Sequence, residues 1–163
     1  MDAMVGTTLQ FARDEMVSEP ERRADVTALV ESIIDDMADA GRDVTLAPAE
    51  QILVDCRPTA LKRAVTNLVD NALKYGKKAQ VAVARTPKAV EITIDDDGPG
   101  IPEEELARVF QPFYRVESSR SRETGGVGLG LAIAKSLIER HRGTLTLSNR
   151  VGSGLRARIK LPA

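Results

Sequence analysis

The stretch Asn67-Leu-Val-Asp-Asn71-Ala-Leu-Lys74-Tyr75 sits inside a longer segment with two faces. Leu61, Ala64, Val65, Leu68, Val69 and Ala72 recur at helical spacing and form one apolar stripe. Lys62, Arg63, Thr66, Asn67, Asp70, Asn71 and Lys74 fall on the other side. Pro58 suits the first helical position and Gly76 a stop, so the pattern predicts a helix over 58–75. Residues 67, 71 and 74 then stack along one side of it. Asparagine is a poor helix former, so two in mid-helix ask for a reason. Asn67 alone is most simply part of a solvated face. Together with Asn71 and Lys74 it favours a ligand site.

Working outward, Val26, Leu29, Val30, Ile33, Ile34 and Met37 predict an earlier helix that ends at Gly41. Residues 1 to about 15 have a helical pattern, broken by Ser18-Glu-Pro20. Short strands are expected at Val44–Leu46 and Ile52–Val54. Alternating segments at Val81–Val83 and Val90–Ile94 follow, joined by a turn near Pro87-Lys88. Pro102 starts a short helix with acidic residues in its first turn, where they suit the dipole. Residues 114–125 are polar and aperiodic, which predicts a mobile loop. A helix from Leu129 to about Arg140 is expected to bury Ile133, Ala134, Leu137 and Ile138. Thr144–Leu147 and Leu155–Leu161 close the chain as a hairpin around Gly152-Ser-Gly154. About six strands and three substantial helices after residue 20 predict an α/β (α+β) two-layer sandwich. Its sheet should be mixed, with the helices on one face.

The bulk composition narrows the function class. A chain of 163 residues suffices for one compact domain, and 42% hydrophobic with 29% charged residues is ordinary for a globular protein. A net charge of -1 gives no electrostatic sign of nucleic-acid binding. The one cysteine, Cys56, excludes an internal disulfide and fits a reducing cytoplasm. No apolar run spans a bilayer, and no signal-peptide pattern opens the chain. Aromatics are 3% with no Trp, so aliphatics and alanine must build the core.

Two further segments carry chemistry. Asp95-Asp-Asp-Gly-Pro-Gly100 ends an alternating strand in an acidic turn. Three adjacent carboxylates repel one another and are a poor purely structural choice. A carboxylate held in a pocket can accept a hydrogen bond from an exocyclic amine such as adenine N6. Gly98 and Gly100 allow a sharp turn and close approach of a ligand. The simpler alternative is an acidic Gly-Pro-Gly turn. Gly125-Gly-Val-Gly-Leu-Gly-Leu131 runs straight into a helix, a place where free amides can hold phosphate. Alone it is a weak signal. A carboxamide suits Mg²⁺ already bound to phosphates, Lys74 supplies a point charge, and Tyr75 offers a ring for a base. The segments in this order predict a pocket for a magnesium nucleotide.

Together these segments resemble the ATP-binding domain of sensor histidine kinases, over roughly residues 20–163. Asn67–Tyr75 matches that family's N box and Asp96–Gly100 its G1 box. Phe110-Gln-Pro-Phe113-Tyr-Arg115 matches the F box and Gly126–Leu131 the G2 box. Lys62-Arg-Ala-Val65 and the Phe-Gln-Pro-Phe run resemble the osmosensor EnvZ type most. The resemblance implies a Bergerat (GHKL) fold with a mixed, mostly antiparallel sheet. It implies residues 1–18 as a remnant of the dimerization domain's second helix with its linker, and 19–163 as the catalytic domain.

The resemblance also implies roles. Asn71 would be the principal Mg²⁺ ligand with Asn67 helping, and Lys74 would contact phosphate. Tyr75 would pack on adenine, and Asp96 would accept from its N6. Gly98, Gly100 and Ile101 would be nucleotide-binding. Gly126, Gly128 and Gly130 would lie by the phosphates, and Val127, Leu129 and Leu131 between and after them would be nucleotide-binding as well. Residues 114–125 would form an ATP lid, with Phe110 and Phe113 anchoring its base and Arg115 or Arg120 reaching the γ-phosphate. Val127 stands where many relatives carry Thr or Ser. The only histidine, His141, has the wrong neighbours for a phosphoacceptor, and a capping or packing role is the expectation for it.

The implied activity is protein-histidine kinase. ATP and Mg²⁺ are bound here, and the γ-phosphate passes to a histidine on a separate dimerization domain, then to a response regulator. The isolated chain is expected to be a cytoplasmic monomer that does not phosphorylate itself, from a parent that could be anchored in the inner membrane. A hydrolytic ATPase of the gyrase, MutL or Hsp90 kind would place a glutamate where Asn67 stands, and Asn67 cannot take a proton. A nucleotide-sensing module without kinase activity is the remaining alternative.

Overall fold

The computed structural model describes residues 19–112, 114 and 129–163. The helical pattern of residues 1–15 lies outside the described residues, as does the expected loop beyond Tyr114. Among the described residues the order is β1 (Arg22–Asp25), α1 (Val26–Asp39), β2 (Val44–Leu46), β3 (Leu53–Cys56) and α2 (Pro58–Tyr75). It continues with β4 (Ala79–Arg85), β5 (Ala89–Asp96), α3 (Gly130–Arg140), β6 (Thr144–Asn149) and β7 (Leu155–Pro162). Five strands make one sheet in the order β2-β4-β5-β7-β6. β2 runs parallel to β4, and every other neighbour is antiparallel. β1 and β3 form a separate antiparallel ribbon. This is the mixed, mostly antiparallel sheet of the GHKL α/β fold.

Strand parity sorts the sheet into two faces. On β5, Val90, Ile92 and Ile94 are buried, and they stand opposite Leu161, Ile159 and Ala157 of β7, also buried. Val83 and Val81 of β4 extend the same rows. The buried stripe of α2, from Ala60 through Leu61, Ala64, Val65, Leu68 and Val69 to Ala72, joins these rows in one core, with Val26, Val30 and Ile33 of α1 and Ala134, Leu137 and Ile138 of α3. The opposite parity carries ions: Asp95 pairs with Arg156 at 2.7 Å, and Glu91 with Arg158 at 3.6 Å and Lys160 at 3.9 Å. The core is aliphatic, as the shortage of aromatics requires.

The helix ends are tied by specific groups. Asp25 caps α1, accepting from the Ala28 amide at 3.1 Å. The N-cap of α2 is Arg57, whose side chain does not cap it. Its first amides are taken instead by a distant carboxylate: Glu19 accepts from Thr59 at 2.8 Å and from Ala60 at 3.0 Å. Partial burial works against the Glu19 charge, yet these amides hold its carboxyl below the usual range. His141, 3% exposed, behaves as the packing residue expected. Its Nε2 accepts the Arg57 amide at 3.0 Å, which leaves the proton on Nδ1, 2.8 Å from the Leu137 carbonyl. The histidine thus joins the end of α3 to the start of α2.

Three local expectations change. The third strand runs over Leu53–Cys56 rather than Ile52–Val54. The strand Arg22–Asp25 was not foreseen, because Arg-Arg-Ala-Asp has no apolar alternation; pairing with β3 orders it. The short helix from Pro102 is two 3₁₀ turns, Glu103–Glu105 and Arg108–Phe110. No residue of the first is buried, and an isolated turn without a buried face does not propagate.

Arg142, just after α3, has φ 61°, the left-handed region that disfavours a Cβ. Among the described residues its side chain makes one long pair, 3.6 Å to Glu21, and is mostly exposed. Arg142→Gly should therefore raise stability by roughly 0.5–1 kcal/mol, the strain relieved less the extra freedom of glycine in the unfolded chain. A urea unfolding midpoint that falls would contradict this.

Candidate functional site

The site forms where the end of α2, the end of β5 and the start of α3 meet. Asn71 and Ala72 of α2, Ile94 and Asp96 of β5, Leu131 of α3 and Leu155 of β7 line one narrow cleft. Asn67, one turn before Asn71, makes a long 3.5 Å contact from its carboxamide nitrogen to the Gly130 carbonyl. Lys74 is exposed in the last turn of α2, and Tyr75 beside it is half-buried. Asp70 is turned to another task, an ion pair with Arg42 at 2.6 Å. The fold thus brings Asn67, Asn71, Asp96, Gly130 and Leu131 to one place from three elements.

The three adjacent aspartates go to three different surroundings, although, added to burial, the charge of Asp97 still helps to raise the Asp96 carboxyl, as the expected repulsion requires. Strand parity sends Asp95 to the ionic face, where it holds Arg156 through two bonds of 2.7 and 2.8 Å. Asp97 accepts from the Lys77 amide at 2.7 Å and the Lys78 amide at 2.9 Å, and these amides, Lys78 foremost, hold its carboxyl below the usual range. Asp96 continues the apolar row of Val90, Ile92 and Ile94 and is 5% exposed. Its Oδ1 accepts from the Gly98 amide at 2.9 Å and the Leu155 amide at 3.2 Å. Burial pushes its carboxyl up against the pull of those amides.

The turn after Asp96 is wedged. A Cβ on Gly98 would lie 2.6 Å from the Tyr75 carbonyl oxygen, so the turn packs on the end of α2 only with glycine there. Gly100 has φ 76°. A Cβ on Gly154, in the β6–β7 turn, would lie 1.9 Å from the Asp96 carbonyl oxygen. Sequence reasoning saw Gly152-Ser-Gly154 only as a hairpin turn and missed that it packs against the site.

At the start of α3, Leu129 is buried and Gly130 opens the helix. A Cβ on Gly130 would meet nothing within 4 Å, so no protein contact demands glycine there. In the F-box region the Phe110 ring lies under Lys135 Nζ, 4.7 Å from its centroid, and the Tyr114 hydroxyl bonds Glu105. Phe113, Arg115, Arg120, Gly126, Val127 and Gly128 lie outside the described residues. Among the described residues, no group of three His, Cys, Asp or Glu is placed to hold a metal, and no helix is long and apolar enough to cross a membrane.

Residues 56–163, which contain the whole cleft, match the family described as histidine kinase-, DNA gyrase B- and HSP90-like ATPase. The chain belongs to that family. It is 37% identical over 162 residues to the sensor histidine kinase GtrS of Pseudomonas aeruginosa, covering 99% of this chain and 33% of that protein. It is 45% identical over 106 residues to the sensor histidine kinase CpxA of Escherichia coli, covering 64% of this chain and 23% of that protein. The solved ATP binding domain of PrrB from Mycobacterium tuberculosis superposes with a TM-score of 0.74 at 31% identity, covering 89% of this chain and 98% of that one. The chain thus spans a third or less of these curated relatives and corresponds to the ATP-binding catalytic part of sensor histidine kinases.

The buried Asp96 carboxylate gives a pH signature. Its folded pKa is raised, so the protonated form is favoured by folding, and that stabilisation is lost as pH rises through the folded value. Asp96→Asn keeps an oxygen for the Gly98 and Leu155 amides and sheds the buried charge. The variant should melt above the wild type at about pH 7, with the advantage gone near pH 3, below the ordinary aspartate pKa. A melting difference that does not change with pH would contradict this.

Proposed function

We propose that this domain binds Mg-ATP in the cleft beneath the start of α3 and presents the γ-phosphate to a histidine on a separate dimerization domain. The observation that carries the reading is the meeting of Asn71 and Asp96 in one cleft, a neutral oxygen donor on one wall and a buried carboxylate on the other. Both amide bonds to Asp96 fall on Oδ1, which leaves Oδ2 to accept from adenine N6. Tyr75 flanks the base, and Gly98, Gly100 and Ile101 supply the turn around it. Lys74, exposed at the end of α2, neutralises phosphate charge. Gly130, Leu129 and Leu131 bring backbone to the phosphates, and the missing Cβ at Gly130 leaves room for that approach. Phe113, Arg115, Gly126, Val127 and Gly128 join the site on the strength of the family resemblance.

Magnesium fits this donor set. With no carboxylate cage among the described residues, the protein would hold the ion through Asn71, helped by Asn67, leaving most coordination to phosphate and water. Bound there, the ion would supply charge neutralisation on the phosphates. The chain's own residues bind, orient and select the nucleotide. A neutral imidazole acceptor already has a lone pair, so no general base is required. Asn67 stands where a water-activating ATPase needs a carboxylate, which disfavours hydrolysis as the function.

In this reading residues 1–18 belong to the preceding dimerization helix and linker, and a response regulator takes the phosphate onward. The domain works in the cytoplasm as a monomer when isolated and binds no nucleic acid. The osmosensor subtype is retained on Lys62-Arg-Ala-Val65 and the Phe110–Phe113 run.

Titrating the chain with ATP, with and without Mg²⁺, tests the reading. Asn71→Ala should lower the magnesium-dependent affinity by more than about tenfold. The isolated chain should stay unlabelled by ATP until its dimerization domain is added. Unchanged affinity in Asn71→Ala removes that residue from its role, and the absence of an alkali-stable, acid-labile label after mixing removes the transfer.

A further inference from the structure

The β6–β7 turn grips the acidic turn from outside the cleft. Asn149 Oδ1 accepts the Ile101 amide at 2.8 Å, and its Nδ2 donates to the Ile101 carbonyl at 2.7 Å. Arg150 Nη1 donates to the Asp96 carbonyl at 2.7 Å. Ser153 Oγ donates to the Gly98 carbonyl at 2.9 Å, and the Leu155 amide reaches Asp96 Oδ1 at 3.2 Å. The turn is itself closed by the Arg150 amide on the Gly154 carbonyl at 2.9 Å. Both ends and the middle of the segment 96–101 are therefore held by one turn, of which Leu155 alone lines the cleft among the described residues.

A segment with two glycines has many backbone states in reach, and fixing it has an entropic cost. Hydrogen bonds that fix it before a ligand arrives reduce what the ligand must supply. We propose that Asn149 and Arg150 are positioning residues that set base selectivity through the Asp96–Ile101 turn without touching the nucleotide. The inference rests on the function proposed above, in which Asp96 meets adenine. Arg150 acts on the backbone of the aspartate itself. Asn149 pins the far end of the turn, so that the carboxylate and the backbone at Ile101 keep one spacing.

The test compares dissociation constants for Mg-ATP and Mg-GTP in the whole chain, for wild type, Asn149→Ala, Arg150→Met, and each change combined with Asp96→Ala. Loss of one or two hydrogen bonds should lower the ATP-over-GTP affinity ratio by roughly three- to tenfold in each single variant. With Asp96→Ala present, the same changes should leave the ratio where it already is, because they act through that residue. Amide exchange at Ile101 should speed up in Asn149→Ala while core amides stay protected. If Asn149→Ala does not fold, Arg150→Met gives the same readout. A ratio unchanged in the folded variants, or an equal further drop without Asp96, overturns the inference alone. A wild type without adenine preference overturns it together with the proposed function.

Discussion

A carboxylate at the end of a buried apolar row is the constraint on which the site depends. Val90, Ile92 and Ile94 face the helices, and strand parity places Asp96 next in that row. Such a group is costly unless its oxygens are bonded. The fold meets that demand with two amides, one from the turn that follows and one from β7. Satisfying it requires the β6–β7 turn to approach so closely that only glycine fits at 154, and the acidic turn to approach α2 so closely that only glycine fits at 98. Asn71 lines the cleft that results. The buried charge opposes folding, a pattern met where a site needs a polar group that stability alone would not choose.

The chemistry that follows is of placement rather than of acid and base. The cleft holds a carboxamide, a carboxylate and apolar walls, and in the proposed reading Asn67, which cannot take a proton, stands where a water-activating base would be needed. In the function proposed for it, this domain selects a nucleotide, fixes its phosphates and leaves the accepting lone pair to another domain. Its contribution to rate is then orientation and charge neutralisation.

Much of this was legible in the chain. The apolar stripe and the Pro58 and Gly76 boundaries of α2 are local signals, and they place the helix to the residue. The alternation of β5 likewise fixes its core face. Arg22–Asp25 was not legible, since its order comes from pairing with β3 rather than from its own pattern. Nor were the 3₁₀ turns, where charge at a helix start suggested a helix that has no face to bury. Repulsion between neighbouring aspartates survives as the Asp97 charge on Asp96, but their separate partners were not foreseen, although the period of two that orders Val90, Ile92 and Ile94 already sends Asp95 and Asp96 to opposite faces. Glu19, Asn149 and Arg150 lie far along the chain from the groups they hold, and no local signal marks them. The same distance hid the need for glycine at 154.

The most direct measurement is a crystal structure of this chain with Mg²⁺ and a non-hydrolysable ATP analogue. The account predicts the adenine amino nitrogen within hydrogen-bond distance of Asp96 Oδ2 and the metal on the Asn71 carboxamide oxygen, with the turn 96–101 unmoved. A base seated elsewhere, with Asp96 still enclosed among its apolar neighbours and Asn71 away from the metal, would contradict it.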